Sequence, residues 1–290
     1  MSPTTPGTRV AGLHLAEPVM LAAGCAGTGR EAAAYAPLST YGAVVSRTIT
    51  LDARAGSRAP RVLESPAGLL HATGLPNPGL TAFCATELPA LVQAGARVVV
   101  SVAGATPEEI TQVVRGLART SGVSAVELHL CAPDAAEAGV LAPLDGAGVS
   151  EAVSAAAGVL PPGVPLLAKL APVLAGVAEH ARAAAGAGAA AVVVGGAQPA
   201  QLPDGRPAGL SGPAVRPQAL RAVHAAATAL AGTGVDVVGC GGVTVATDAR
   251  ALLDAGAAAV QVGSALLSDP TAAARLVADL RAGRAPDDPT

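Results

Sequence analysis

The sequence predicts an α/β chain whose eight parallel strands close into one (β/α)8 barrel, the TIM-barrel class. Eight short runs rich in Val, Leu and Ala recur along it, and Ala/Leu-rich segments with helical spacing separate most of them. Its length agrees: 290 residues, 51% hydrophobic and 13% charged, can bury a large core, and α/β barrels of this size fold as one unit. We therefore expect a single domain over residues 1–290.

The candidate strands are Pro18–Gly24, Gly42–Thr48, Ala96–Ala103, Ser124–Leu130, Val164–Leu170, Ala190–Gly195, Val235–Gly239 and Ala258–Val262. Near-continuous apolar runs suit parallel strands covered on both faces. Helical spacing runs through Thr106–Thr120, Ala175–Ala187, Arg216–Ala231 and Thr247–Ala255. Two stretches depart from the repeat. Arg9–Leu15 reads as a small hairpin before the first barrel strand. After the second strand, the Gly-, Pro- and Arg-rich stretch Ile49–Ala82 is too long for an ordinary connection and reads as a functional insertion.

Composition excludes several classes. A net charge of −3 with scattered arginines offers no basic stripe for nucleic acid. Met1–Gly7 is not followed by the basic and apolar regions of a secretory signal, so a cytoplasmic protein is expected. The most apolar stretch, Ala183–Ala197, is broken by glycines and reads as a helix end and a strand, so no membrane span is expected. Cys25, Cys84, Cys131 and Cys240 lack the paired spacing of a metal site or disulfide framework and read as reduced thiols. Lys169 is the only lysine and Asn77 the only asparagine, so each invites a functional question.

Barrel active sites lie at the C-terminal strand ends. The seventh strand runs into Gly239-Cys240-Gly241-Gly242-Val243 ahead of a helix, and the eighth ends in Val262-Gly263-Ser264. Glycines let backbone N–H groups approach an anion, and a helix N-terminus adds a favourable dipole. Gly209-Leu210-Ser211-Gly212-Pro213 reads as a third glycine-containing turn. Together these turns favour a phosphate grip without naming the ligand.

With these motifs the chain resembles the class 1 dihydroorotate dehydrogenases, of the 1B type that pairs with an electron-transfer subunit. The likeness runs nearly end to end. It covers Pro18–Gly24, Thr48–Leu51 with Arg54, Gly56, Pro60 and Arg61, Glu64–Leu70, Gly74–Gly79, Ser101–Gly104, Gly209–Pro213, Gly239–Val243 and Val262–Ser264. It implies an FMN-containing barrel active in pyrimidine biosynthesis, a homodimer, and an iron–sulfur flavoprotein as electron-transfer partner. By resemblance, Gly195, Ser211, Gly212, Gly241, Gly242, Gly263 and Ser264 would hold the FMN phosphate and ribityl chain. Ala22, Ala23, Gly24 and Ser101 would lie along the ring, Arg47 and Thr48 take the place of a Lys-Thr pair, and Lys169 matches the lysine beside the flavin. A cation there favours the reduced, anionic ring.

The chemistry departs from the family pattern. Dihydroorotate oxidation needs a base, which class 1 enzymes supply as the cysteine of an Asn-x-Ser-Cys-Pro-Asn loop. Here the run is His129-Leu130-Cys131-Ala132-Pro133-Asp134, with alanine at the cysteine position. Cys131, one residue away, and His129 are the candidate bases. Family asparagines that bind the pyrimidine and its carboxylate read His71, His129, Asp134 and Gly196, with Gly74, Leu75 and Ala197 beside them. Arg47 keeps a fork able to clamp a carboxylate. The expectation is an FMN-dependent oxidoreductase of CH–CH groups, with dihydroorotate or an altered acidic substrate. The alternative is a non-catalytic flavin-binding paralogue; a flavin-free phosphosugar barrel would need strand-end carboxylates, and Glu127 alone is acidic within the central strands.

Overall fold

The computed structural model describes residues 7–130, 145–171 and 174–283. Fourteen strands follow in chain order. They are β1 (Thr8–Val10), β2 (Leu13–Leu15), β3 (Val19–Leu21), β4 (Ala43–Val45), β5 (Val62–Ser65), β6 (Gly68–His71) and β7 (Val98–Val102), then β8 (Val123–His129), β9 (Leu166–Lys169), β10 (Ala191–Gly195), β11 (Gln198–Gln201), β12 (Pro207–Ser211), β13 (Asp236–Cys240) and β14 (Ala259–Val262). Eight of them, β3, β4, β7, β8, β9, β10, β13 and β14, pair in parallel in that order and close into a ring. Each lies within or overlaps a run expected from the sequence, mostly trimmed at the ends.

Helices cover the ring from outside: α1 (Arg30–Ala33), α2 (Gly79–Ala82), α3 (Leu88–Gln93), α4 (Pro107–Leu117), α5 (Gly146–Ala157), α6 (Val177–Gly186), α7 (Arg216–Ala229), α8 (Ala246–Asp254), α9 (Ala265–Ser268) and α10 (Ala272–Ala282). Helix α4 shows how the sequence makes one. Thr106 caps it by accepting from the Glu109 N–H at 3.3 Å, Pro107 occupies the first turn, and Ile110, Val113, Val114 and Leu117 form one buried face.

Alternation along the strands sorts the apolar residues into two cores. Met20, Val45, Val99, Ala125, Leu167, Val193 and Val238 fill the barrel, while Val44, Val100, Val126, Leu128, Val192, Val194 and Val260 pack outward under the helices. The β1–β2 hairpin closes the N-terminal end of the barrel. Its tight turn is at Ala11-Gly12, Thr8 donates to the Ala258 carbonyl at 3.0 Å, and the Ala11 N–H donates to Asp236 at 2.7 Å.

The insertion after β4 is more ordered than a loop system. Its hairpin β5–β6 joins the hairpin β11–β12 in a four-stranded antiparallel sheet. Gly209 to Ser211 therefore belong to a strand, and only Gly212-Pro213 turns, which corrects the expected third glycine turn. Asn77 ties the insertion down. Buried, it accepts from the Gly79 N–H at 2.9 Å and donates to Thr50 Oγ1 and to the Leu75 carbonyl, both at 2.9 Å. Asn77→Ala would leave these buried groups unpaired, so we expect a loss of about 1–3 kcal/mol in urea unfolding; an unchanged midpoint would refute the clamp.

Candidate active site

A cavity of about 360 Å³ opens where the barrel strands end, between the ring and the four-stranded sheet. Its volume lies in the range of small-molecule sites. The ring supplies Arg47 and Thr48 after β4, His129 on β8, Lys169 on β9, Cys240 on β13 and Gln261 on β14; the sheet supplies Val62, Leu69, His71 and Ser211.

One end could hold an anion. Gly241 takes a φ of +111°, and a methyl group there would sit 2.9 Å from the Gly196 amide nitrogen, so only glycine fits. Gly242, Gly263 and Ser264 complete this end. Among the described residues, the N–H groups of Gly242, Val243, Gly263 and Ser264 meet no protein acceptor. The N-terminus of α8 already holds a carboxylate of its own. Asp248 occupies that terminus, accepting from the Thr244 and Val245 N–H groups at 3.0 and 3.2 Å and pairing with Arg216. The glycine backbone offers further N–H groups that an anion could use.

Polar residues cluster within the ring. Lys169 Nζ donates to Gln261 Oε1 at 2.8 Å, and Gln261 Nε2 donates to Glu127 Oε2. The second Glu127 oxygen lies 3.5 Å from Lys169 Nζ, an ion pair by distance without a direct hydrogen bond. Glu127 and Gln261 are wholly buried and Lys169 is 6% exposed.

His129 is neutral here. Burial, with the charge of Lys169 and the nearness of His71, lowers its pKa to about 3. Arg47 reaches the cavity wall but forms an ion pair with Glu87 at 3.2 Å. Burial pushes the Glu87 carboxyl up, the Arg47 charge pulls it back, and Glu31 raises it further. Burial also pushes the Cys25 thiol up to about 11, reinforced by Cys240 and opposed by Lys169.

Most of the expected site residues meet at this cavity: Ala22, Ala23, Gly24, Arg47, Thr48, His71, Leu75, His129, Lys169, Gly196, Ala197, Ser211, Gly241, Gly242, Gly263 and Ser264. Four lie behind the wall. Ser101 is wholly buried and shares a 3.0 Å hydrogen bond with Thr48, so it steadies Thr48 instead of facing a ring. Gly195 packs against the Cys240 carbonyl, Gly212 against Gly68, and Gly74 against Ser57. Cys131, with Ala132 and Asp134, lies outside the described residues. The sequence reading gave Gln261, Glu87 and Cys25 no role. Gln261 does carry a signal in the sequence, a polar residue interrupting an apolar strand, as Lys169 also does.

The dihydroorotate dehydrogenase family profile matches residues 7–283. The chain belongs to this family. It is 39% identical over 280 residues to a dihydroorotate dehydrogenase B (NAD(+)) catalytic subunit of Desulforudis audaxviator, covering 93% of this chain and 90% of that one. The corresponding subunit of Pelobacter propionicus is 37% identical over 274 residues, covering 91% and 88%. In fold, the chain is similar to a solved dihydroorotate dehydrogenase of Eimeria tenella in complex with ferulenol, with a TM-score of 0.79 at 19% identity over 96% of this chain and 84% of that one. Family members share the (β/α)8 ring described above. Among the described residues no helix is long and apolar enough to cross a membrane, and no group of His, Cys, Asp and Glu could hold a metal.

The neutrality of His129 has a measurable cost. Unfolded, the imidazole binds a proton near its ordinary value of about 6.5, whereas folded it does so only near 3. Between these values the unfolded state binds more protons, so stability falls as pH drops through that window, by at most about 1.4 kcal/mol per unit. Wild type should therefore lose unfolding free energy faster than His129→Asn from pH 6.5 down to about pH 4. Parallel profiles would refute a buried neutral imidazole.

Proposed function

We propose that the chain is an FMN-dependent oxidoreductase of the dihydroorotate dehydrogenase type, acting on a CH–CH bond of a small cyclic acid, dihydroorotate itself or a relative. One observation carries this reading. Lys169, the chain's single lysine, stands in the wall of the cavity that ends in the Gly241-Gly242 and Gly263-Ser264 turns. A flavin nucleotide needs both features: free N–H groups for its phosphate and a fixed cation for its ring.

Gly241, Gly242, Gly263 and Ser264 would hold the phosphate, and Ala22, Ala23, Gly24, Thr48 and Lys169 would line the ring. Bound FMN would accept a hydride from the substrate. Lys169 supplies a positive charge where electron density then increases. Arg47 binds the substrate carboxylate once the anion competes with Glu87, and His71 and His129 offer neutral hydrogen-bonding edges. A bound anion also adds negative charge beside His129, which raises its capacity to take a proton. Cys131 remains the other candidate for that step. The likeness to catalytic subunits supports a partner subunit that takes the electrons; that this partner is an iron–sulfur flavoprotein, and that the chain is a cytoplasmic homodimer, is what the family resemblance implies.

A second reading has its own observation. Alanine at position 132 cannot take a proton, so a flavin-binding paralogue without catalysis is the competing assignment. Anaerobic mixing with dihydroorotate separates the two. Bleaching of the flavin supports the enzyme; a flavin that light reduces but dihydroorotate and other cyclic acids do not supports the binder. Purified protein without yellow colour, and without FMN by mass spectrometry, would defeat both.

Two variants test the assigned residues. A methyl group on Gly263 would lie 3.4 Å from Ala22 Cβ and 3.5 Å from Cys25 Sγ, ordinary contacts within the cavity wall. Gly263→Ala should keep its melting temperature without ligand yet bind FMN at least tenfold more weakly; wild-type affinity would remove this turn from the site. Arg47→Ala should lose a charged hydrogen bond of about 1.5–3 kcal/mol, a rise of roughly ten- to hundredfold in KM. An unchanged KM would place the substrate anion elsewhere.

A further inference from the structure

We propose that Glu127, bridged by Gln261, is a positioning residue that keeps the Lys169 ammonium charged and aimed into the cavity. Lys169 is almost wholly enclosed, and burial alone favours the neutral amine. The groups around it do not all help. His129 is neutral, and Cys25 and Cys240 are thiols whose pKa values burial raises, so none of the three contributes a negative charge. Among the described titratable groups at Lys169, that leaves Glu127.

The geometry suits the task. Glu127 Oε1 is buried, has no hydrogen-bond donor among the described residues, and faces Lys169 Nζ at 3.5 Å. Its other oxygen accepts from Gln261 Nε2, whose amide oxygen takes a proton of Lys169 at 2.8 Å. Gln261 is the right residue type for this place, because an amide donates at one end and accepts at the other. Three strands, β8, β9 and β14, thus converge on one ammonium group. A carboxylate within the ring would otherwise have no purpose, since Glu127 does not reach the cavity wall, whereas Gln261 and Lys169 do.

The inference rests on the flavin reading only for what the charge is used for, so the experiment has an arm that needs no flavin. With one lysine in the chain, 13Cε-lysine labelling gives one side-chain resonance, and its pH titration reports Lys169 alone. Glu127→Gln should lower the apparent pKa by one unit or more, a tenfold or greater loss of proton affinity, and Glu127→Asp should restore part of it. Gln261→Leu, which keeps the carboxylate but removes the bridge, should move it in the same direction and decides the matter if Glu127→Gln does not fold. A lysine that titrates in the variants as in wild type overturns the proposal.

The second arm is the midpoint potential of bound flavin. If Lys169 loses its proton in Glu127→Gln, the reduced form loses its cation and the potential falls. A rise would mean that the ammonium survived without its carboxylate, and would overturn the proposal even though the flavin reading stood. Protein without flavin would defeat that reading and leave the lysine titration to decide this one.

Discussion

Closing eight parallel strands into a ring sends every second side chain inward, and the rest of this molecule follows from how that interior is filled. The chain has no tryptophan and one phenylalanine, so Val, Ala, Leu and Met must pack the barrel. Met20, Val45, Val99, Leu167, Val193 and Val238 do so toward its lower end. Two residues further along the same strands the pattern changes, with Arg47 following Val45, Lys169 following Leu167, and Glu127 and Gln261 following Ala125 and Ala259. A polar layer on an apolar one has little water to screen it. Its charges must therefore answer one another or a ligand.

That condition explains the division of labour among the polar residues. Glu127 answers Lys169 inside the ring, and Glu87 answers Arg47 at the wall. Burial holds His129 neutral, and the cation already fixed at the centre disfavours a second one there. A neutral imidazole with so low a pKa gains little by taking a proton at neutral pH. Alanine stands at position 132, where the resemblance leads one to expect a cysteine base, and of the two candidates near it His129 is weakly basic in the ligand-free protein while Cys131 is displaced along the chain. The cation that would stand beside a reduced flavin is better supported by the architecture than the group that would take the proton.

Much of this was legible in the sequence because buried parallel strands leave a simple signature. All eight barrel strands stood out as short apolar runs, and Lys169 stood out as the only lysine. The β11–β12 hairpin did not. Gln198-Pro199-Ala200-Gln201 is polar and carries proline, so it reads as a loop, and it becomes a strand through pairing with β12, which in turn lies against the insertion. Asn77 was conspicuous for rarity, but rarity could not distinguish a ligand contact from the clamp it proves to be. Pairings across long stretches of chain were equally hidden: Gln261 meets Glu127 across 134 positions, and no local pattern encodes that.

The phosphate end shows how the same residues can be recognised for an incomplete reason. Glycine turns followed by helices suggest an anion held by helix dipoles, yet at α8 the protein spends that terminus on Asp248. The carboxylate fixes the Thr244–Val245 turn and pairs with Arg216, whose backbone lies against Gly242. That helix end is thus partly satisfied from within. What it does is lock the glycine turn in the shape that presents its N–H groups. For an anion held at this end, preorganised backbone would contribute to the affinity, and a change at Asp248 would act through Arg216 on the position of Gly242.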